Sequence, residues 1–342
     1  MRQVLVTAAL LLPLAPSASE PATAAKLVEV RKIWDQAPHN AFTDLIRFQD
    51  RWYCTFREGD GHAKGPGIVR ILTSVDGTTW EPAAALAERD VDLRDPKLSI
   101  TLEGRLMLVG GAAVPATRNP LTDHYSFVSF SKDGKSWTPI QRVLESWQWL
   151  WRVTWHKGTA YGVAYTFDPK VSPKNYQAFL AKSSDGVKWE KVVDFEVPNA
   201  TEATLAFGAD DRLFCLQRCD GQPNNAKFGV SRAPYIAWTW QDLGAYLGGP
   251  NLVRGQDGVW WAAGRMIKAS KPETALARLG RLDSEPAKLE HVLSLPSAGD
   301  TSYPGLVFHN GELWMSYYST HEQKTSVYLA RLQLPVGGGT GK

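Results

Sequence analysis

The sequence predicts an all-β chain folded as a six-bladed β-propeller. Three observations predict it. A seven-residue phrase, Ser-x-Asp-Gly-x-x-Trp, recurs three times, its aspartates Asp76, Asp133 and Asp185 standing 57 and 52 positions apart. Repeats of that period belong to arrays and propellers. Six paired runs of β-type residues follow one another with no long amphipathic helix between them. Finally, the last unit is one strand short, and a strand-like run near the N-terminus can supply it. The composition suits this fold: 342 residues, 44% hydrophobic and 21% charged, exclude wholesale disorder, collagen and coiled coil. A net charge of +3 argues against a protein that coats nucleic acid.

In chain order, residues 1–25 read as a cleaved secretory signal. Met1-Arg2-Gln3 is a short basic start, Val4 to Ala15 is apolar apart from the break at Pro13, and small residues surround cleavage positions near Ser19 or Ala25. The apolar stretch is too short for a permanent anchor. The expectation is a periplasmic or secreted monomer with no membrane anchor. Lys26 to Ile33 is the spare strand, and pairing it with the C-terminal strand closes the ring and removes an edge. Residues 26–335 form the propeller as a single domain, and 336–342 a disordered tail.

The six units each open on a strand pair. Leu45–Phe48 precedes Trp52–Phe56, Lys97–Ile100 precedes Leu106–Val109, and Val153–Trp155 precedes Ala160–Tyr165. Then Thr204–Phe207 precedes Leu213–Leu216, Asn251–Val253 precedes Val259–Ala262, and Gly305–Phe308 precedes Leu313–Tyr318. Polar turns such as His156-Lys157-Gly158 join the members. In the repeated phrase, Asp-Gly supplies a positive-φ turn, the carboxylate accepts from turn N–H groups, and the tryptophans Trp80, Trp137 and Trp189 pack the turn down. The phrase is structural. Cys54, Cys215 and Cys219 allow at most one disulfide, and three buried thiols fit them best.

Three such phrases, the Asp boxes, on a six-unit β chain resemble the exo-α-sialidases and the wider Asp-box superfamily. That resemblance implies an arginine triad gripping the substrate carboxylate, a tyrosine nucleophile with a neighbouring glutamate, and an aspartate acid/base. Phe56-Arg57 matches the first arginine, without the Ile-Pro that usually follows. Glu202 in Ala-Thr-Glu-Ala-Thr matches the glutamate, Arg218 and Arg265 the second and third arginines, and Tyr303 the nucleophile. The acid/base falls in the short interval between Arg57 and Ser74, where Asp60 is the first choice and His62 the second. The glutamate that pairs with the first arginine in that family has no counterpart, and Pro304 follows Tyr303.

This set is chemically coherent. Arginine presents a permanently charged fork suited to a carboxylate. A tyrosine hydroxyl, with a pKa of about 10, needs a carboxylate to take its proton. A neutral phenol avoids the repulsion a carboxylate nucleophile meets beside an anionic sugar. Asp44, Arg94, Asp95 and Arg152 stand at the same register of their units and are expected, with Glu202 and Tyr303, to ring one mouth of the propeller and contact substrate. His39 and the alternating Trp147, Trp149 and Trp151 could line it and stack on sugar. No cofactor is expected, and no His/Asp/Glu spacing indicates a metal. The partner implied is a glycan or glycoconjugate. Two other readings fit the scaffold: a glycosidase or polysaccharide lyase drawing a carboxylate pair from Asp44, Asp95 and Glu202, and a non-catalytic glycan-binding propeller.

Overall fold

The computed structural model describes residues 24–114, 123–168, 170–171 and 175–335. The segments read as signal and tail lie outside these, apart from Ala24 and Ala25. Every named element is a strand, and the 24 strands form six four-stranded antiparallel sheets. Five blades are consecutive runs of sequence. Blade I holds β2 (His39–Phe48), β3 (Arg51–Gly59), β4 (Ile68–Ser74) and β5 (Glu81–Leu86). Blade II holds β6 (Asp92–Ile100) to β9 (Gln141–Val143), and blade III holds β10 (Gln148–His156) to β13 (Glu190–Asp194). Blade IV holds β14 (Ala200–Phe207), β15 (Leu213–Cys219), β16 (Lys227–Ser231) and β17 (Trp238–Asp242). Blade V runs from β18 (Gly248–Arg254) through β19 (Trp260–Lys268) to β21 (Glu290–Ser294).

Blade VI closes the ring. Its strands β22 (Thr301–His309), β23 (Glu312–Ser319) and β24 (Ser326–Gln333) are completed by β1 (Lys26–Trp34), which pairs antiparallel with β24 from Lys26↔Gln333 to Trp34↔Val327. The edge that β24 would otherwise present is thereby paired. The hydrophobic core is divided among the blade interfaces. One cluster joins Tyr53 and Ile71 of blade I to Leu108 and Phe127 of blade II, and another joins Leu205 of blade IV to Leu180 of blade III.

The three repeated phrases join the third and fourth strands of blades I–III. In each, the serine hydroxyl accepts from the glycine N–H, the aspartate Oδ1 accepts from the next turn N–H groups, and the indole donates to the glycine carbonyl at 3.0–3.2 Å. Gly77, Gly134 and Gly186 sit at φ 73–77°, the region that favours glycine. Blade IV carries an unrecognised relative of this turn. There Tyr235 holds the positive φ, and Trp238 donates to its carbonyl at 3.1 Å. Cys54, Cys215 and Cys219 are buried and unpaired.

Candidate active site

The innermost strand of every blade carries the same irregularity. Two residues bulge opposite one on the next strand: Phe42-Thr43, Asp95-Pro96, Trp151-Arg152, Thr201-Glu202, Gly249-Pro250 and Tyr303-Pro304. A bulge bends the strand and re-aims its side chains, and it tolerates proline, which cannot donate to a ladder. Four of these residues, Phe42, Asp95, Gly249 and Tyr303, have φ between 53° and 66°. Six bulges around one axis therefore direct Phe42, Asp95, Glu202 and Tyr303 into one cavity of about 240 Å³.

Three of the sequence-selected residues meet there. The Tyr303 hydroxyl donates to Glu202 Oε1 at 2.6 Å. Arg218 Nη1 reaches both Glu202 Oε2 at 2.8 Å and the Tyr303 oxygen at 3.1 Å. The Gly249 N–H also donates to Glu202 Oε2, at 2.8 Å. Burial opposes the Glu202 charge, but Arg218, Tyr303 and the Gly249 amide outweigh it and hold the carboxyl below its ordinary range. Burial and the Glu202 charge push the Tyr303 phenol well up, against the pull of Arg218 and Arg265. The resting pair is thus a carboxylate and a neutral phenol. Arg218 also bonds Asp220, 2.8 Å from its Nε.

Asp95 lines the same cavity and is 9% exposed. Burial, opposed by Lys97 and reinforced by Glu202, raises its carboxyl to about 6. Arg94, also in the lining, is held by Asp92 at 2.5 Å. The rest of the lining combines the aromatic rings of Trp149, Tyr165, Phe167 and Tyr176 with His62, His124, Thr201 and Asp220. Of the alternating tryptophans, Trp149 faces the cavity. Trp151 is fully buried beneath it, its ring 5.4 Å from Tyr303. Trp147 precedes β10 at φ 65° and packs on His124 at 4.6 Å.

Other expected residues are placed differently. Arg57 is fully buried and not in the cavity lining. Its Nε bonds Asp92 at 2.6 Å and its Nη1 the Gly61 carbonyl at 2.8 Å. Asp92 thus bridges Arg57 and Arg94. A Cβ on Gly59 or Gly67 would strike the Arg57 guanidinium, so both glycines are needed for its burial. Asp44 and Arg152 pair at 2.9 Å deeper on the axis, where Asp44 also accepts from the Leu98 N–H and Arg152 donates to the Pro304 carbonyl. They tie blades I, II, III and VI together and are not in the cavity lining. Asp60 is exposed, on the loop between β3 and β4, and also outside the lining. The reason is common to all four: each is satisfied by partners, or by solvent, away from the mouth.

Arg265 lies beneath Tyr303, its guanidinium 5.4 Å from the ring. It donates to Asp300 at 3.2 Å, to the Tyr318 hydroxyl at 2.9 Å and to the Thr301 carbonyl at 2.9 Å. Asp300, which the sequence did not single out, is a hub. Its Oδ1 also accepts from Tyr318 at 2.9 Å, and its Oδ2 lies 2.9 Å from His39 Nε2 and 2.7 Å from His62 Nδ1. One ligating atom each from His39, His62 and Asp300 lies within 4.8 Å of the others. That spread admits a cation by size, but both carboxylate oxygens already serve donors and Arg265 supplies a positive charge, so the group is an ion-paired cluster.

No family model matches the chain, and no curated protein matches it. Solved structures do. A protein of unknown function from Dyadobacter fermentans is 18% identical, covering 92% of this chain and 100% of its own, with a TM-score of 0.81. An α-L-arabinanase of Penicillium chrysogenum complexed with arabinobiose is 13% identical over 89% of this chain and 98% of its own, TM-score 0.68. Trypanosoma rangeli sialidase is 14% identical over 93% of this chain and 60% of its own, TM-score 0.65. At these identities the likeness is one of fold.

Proposed function

We propose that the protein is a glycoside hydrolase of the sialidase-like type, releasing an acidic sugar from glycans. The observation that carries this reading is the Tyr303–Glu202–Arg218 contact at the floor of an axial cavity. The Tyr303 hydroxyl attacks the anomeric carbon while its proton passes along the 2.6 Å hydrogen bond to Glu202. Arg218, in contact with both, stabilises the negative charge that the pair shares as the proton moves. Arg218 and Arg94 supply the cationic side of the cavity for a substrate carboxylate. Trp149 and the neighbouring aromatic wall supply flat apolar faces for sugar C–H surfaces. Sialidase and arabinanase among the structural neighbours are consistent with glycosidase chemistry on this scaffold.

A second reading has its own support. Arg57 and Arg265 are engaged by Asp92, Asp300 and Tyr318, so only part of a three-arginine grip faces the cavity. Asp95 and Glu202 line it together, one raised and one lowered in pKa, the split expected of an acid and a base. That arrangement suits a neutral glycoside cleaved by two carboxylates. Free-sugar release from a panel of sialosides, uronosides and arabinosides separates the two. The sialidase-like reading expects release from acidic glycosides and a loss of about 10³-fold or more in Tyr303→Phe. Turnover of neutral glycosides alone, unchanged in that variant, establishes the second.

A further inference from the structure

We infer that His62 is the proton donor to the leaving oxygen and that Asp300 is the residue that positions it; this rests on the hydrolase reading above. His62 stands on the β3–β4 loop of blade I, and Asp300 directly precedes β22 of blade VI. The contact between His62 Nδ1 and Asp300 Oδ2, at 2.7 Å, therefore spans two blades. It turns Nδ1–H toward the carboxylate and leaves Nε2 on the opposite edge of the ring. That ring lines the cavity with Tyr303 and Glu202 and packs edge-on against Phe42 at 5.0 Å. The His62 side chain is 55% exposed, so Nε2 has room for a substrate oxygen or a water.

Asp300 is suited to the role. Burial opposes its charge, yet His39, His62 and Arg265 hold its carboxyl well below the ordinary range. It remains an anion throughout the range in which an imidazole exchanges its proton. Tyr318 and Arg265 fix its orientation from the other side. Asp60 is exposed outside the lining, and among the described residues no hydrogen bond orients the Asp95 carboxyl, whereas a proton carrier needs an orienting partner.

The chemistry balances. In the first half, Tyr303 Oη bonds to the anomeric carbon and the glycosidic C–O bond breaks. The departing oxygen takes the Nε2 proton of charged His62, and the Tyr303 proton passes to Glu202. In the second half, water adds to the anomeric carbon and returns a proton to Nε2. The carbon–Oη bond breaks as the water oxygen bonds, and Glu202 gives its proton back to Tyr303. One water is consumed and the side chains are restored.

The test compares p-nitrophenyl sialoside, whose phenol leaves unaided, with sialyl-lactose, whose alcohol does not. His62→Ala is expected to lose about 10²- to 10⁴-fold on sialyl-lactose and less than about 10-fold on the aryl substrate. Asp300→Asn is expected to show the same selectivity, more weakly. Equal losses on both substrates, or selectivity in Asp95→Asn or Asp60→Asn but not in His62→Ala, overturn the donor role. Histidine ¹⁵N spectra give a readout independent of turnover: neutral His62 carries its proton on Nδ1, and Asp300→Asn moves it to Nε2. A wild-type Nε2–H tautomer overturns the positioning role. Absence of wild-type turnover of these and of the uronoside and arabinoside panel, with the Nδ1–H tautomer intact, overturns the hydrolase reading and the donor role with it, and leaves the His62–Asp300 pairing standing.

Discussion

Arg57 and Arg218 follow β-type runs in equivalent second strands, yet their surroundings give them opposite uses. Arg57 is enclosed, with Asp92 at 2.6 Å and loop carbonyls on its remaining donors. Breaking such a buried pair costs about 3–5 kcal/mol. Arg57→Ala is therefore expected to lower thermal stability by that order, and Arg218→Lys to raise KM and lower kcat with stability nearly unchanged; melting curves and kinetics on the two variants check this. Asp95 makes a prediction of the other sign. Its folded-state pKa of about 6 lies above the unfolded value, so stability falls as pH rises from about 4 to about 6. Asp95→Asn is expected to be more stable than wild type at pH 7, by at most about 3 kcal/mol at roughly 1.4 kcal/mol per pH unit, and indistinguishable at pH 4. Denaturant unfolding at the two pH values measures it. At this scale the sequence was partly legible. Glu202, Arg218 and Tyr303 stand out through the resemblance to the sialidases, and they meet. Asp92 and Asp300 were missed because each acts on partners remote in sequence, at Arg57, His39, His62 and Arg265, and nothing in local spacing reveals such pairing.

The inner-strand bulge is the element that builds the site. It turns two neighbouring residues out of the pleat at the same height in all six blades, and four of these places carry Phe42, Asp95, Glu202 and Tyr303. Gly249 shows how tight the arrangement is. It holds φ 58°, its amide bonds Glu202, and a Cβ there would lie 2.7 Å from the Tyr303 ring. Gly249→Ala is expected to displace Tyr303 from Glu202 and reduce kcat by about 10²-fold, and, because alanine is strained at that φ, to lower the melting temperature as well. The repeated turn phrase was legible because its chemistry is local and its glycine obligatory. The bulges were not, since their residues change from blade to blade: proline holds the second place in three of them, as Pro96, Pro250 and Pro304, and Thr43, Arg152 and Glu202 hold it in the others. Tyr235, in the place of the turn glycine, concealed the fourth turn for the same reason.

Across the whole molecule, closure makes the cavity. Six blades set their inner strands around one axis only if the ring is complete, and β1 completes blade VI from the other end of the chain. Axial contacts reinforce the ring, with Arg152 reaching Asp44 and Pro304, Asn251 reaching Pro304, and Lys97 reaching the Phe42 and Thr43 carbonyls. Removing residues 24–34 exposes the β24 edge. The truncated protein is expected to melt lower and to form concentration-dependent dimers or aggregates, seen by calorimetry and light scattering. This closure was legible because a strand-like run, Lys26–Ile33, stood outside any unit while the last unit lacked one.

The central claim is that Tyr303, served by Glu202, is the group that bonds to the sugar. A fluorinated sugar that accumulates the glycosyl-enzyme tests it directly, followed by proteolysis and mass spectrometry of the labelled peptide. The account predicts one added sugar on the peptide containing Tyr303, absent in Tyr303→Phe. A label on the carboxylate of Asp95 or Glu202 contradicts it.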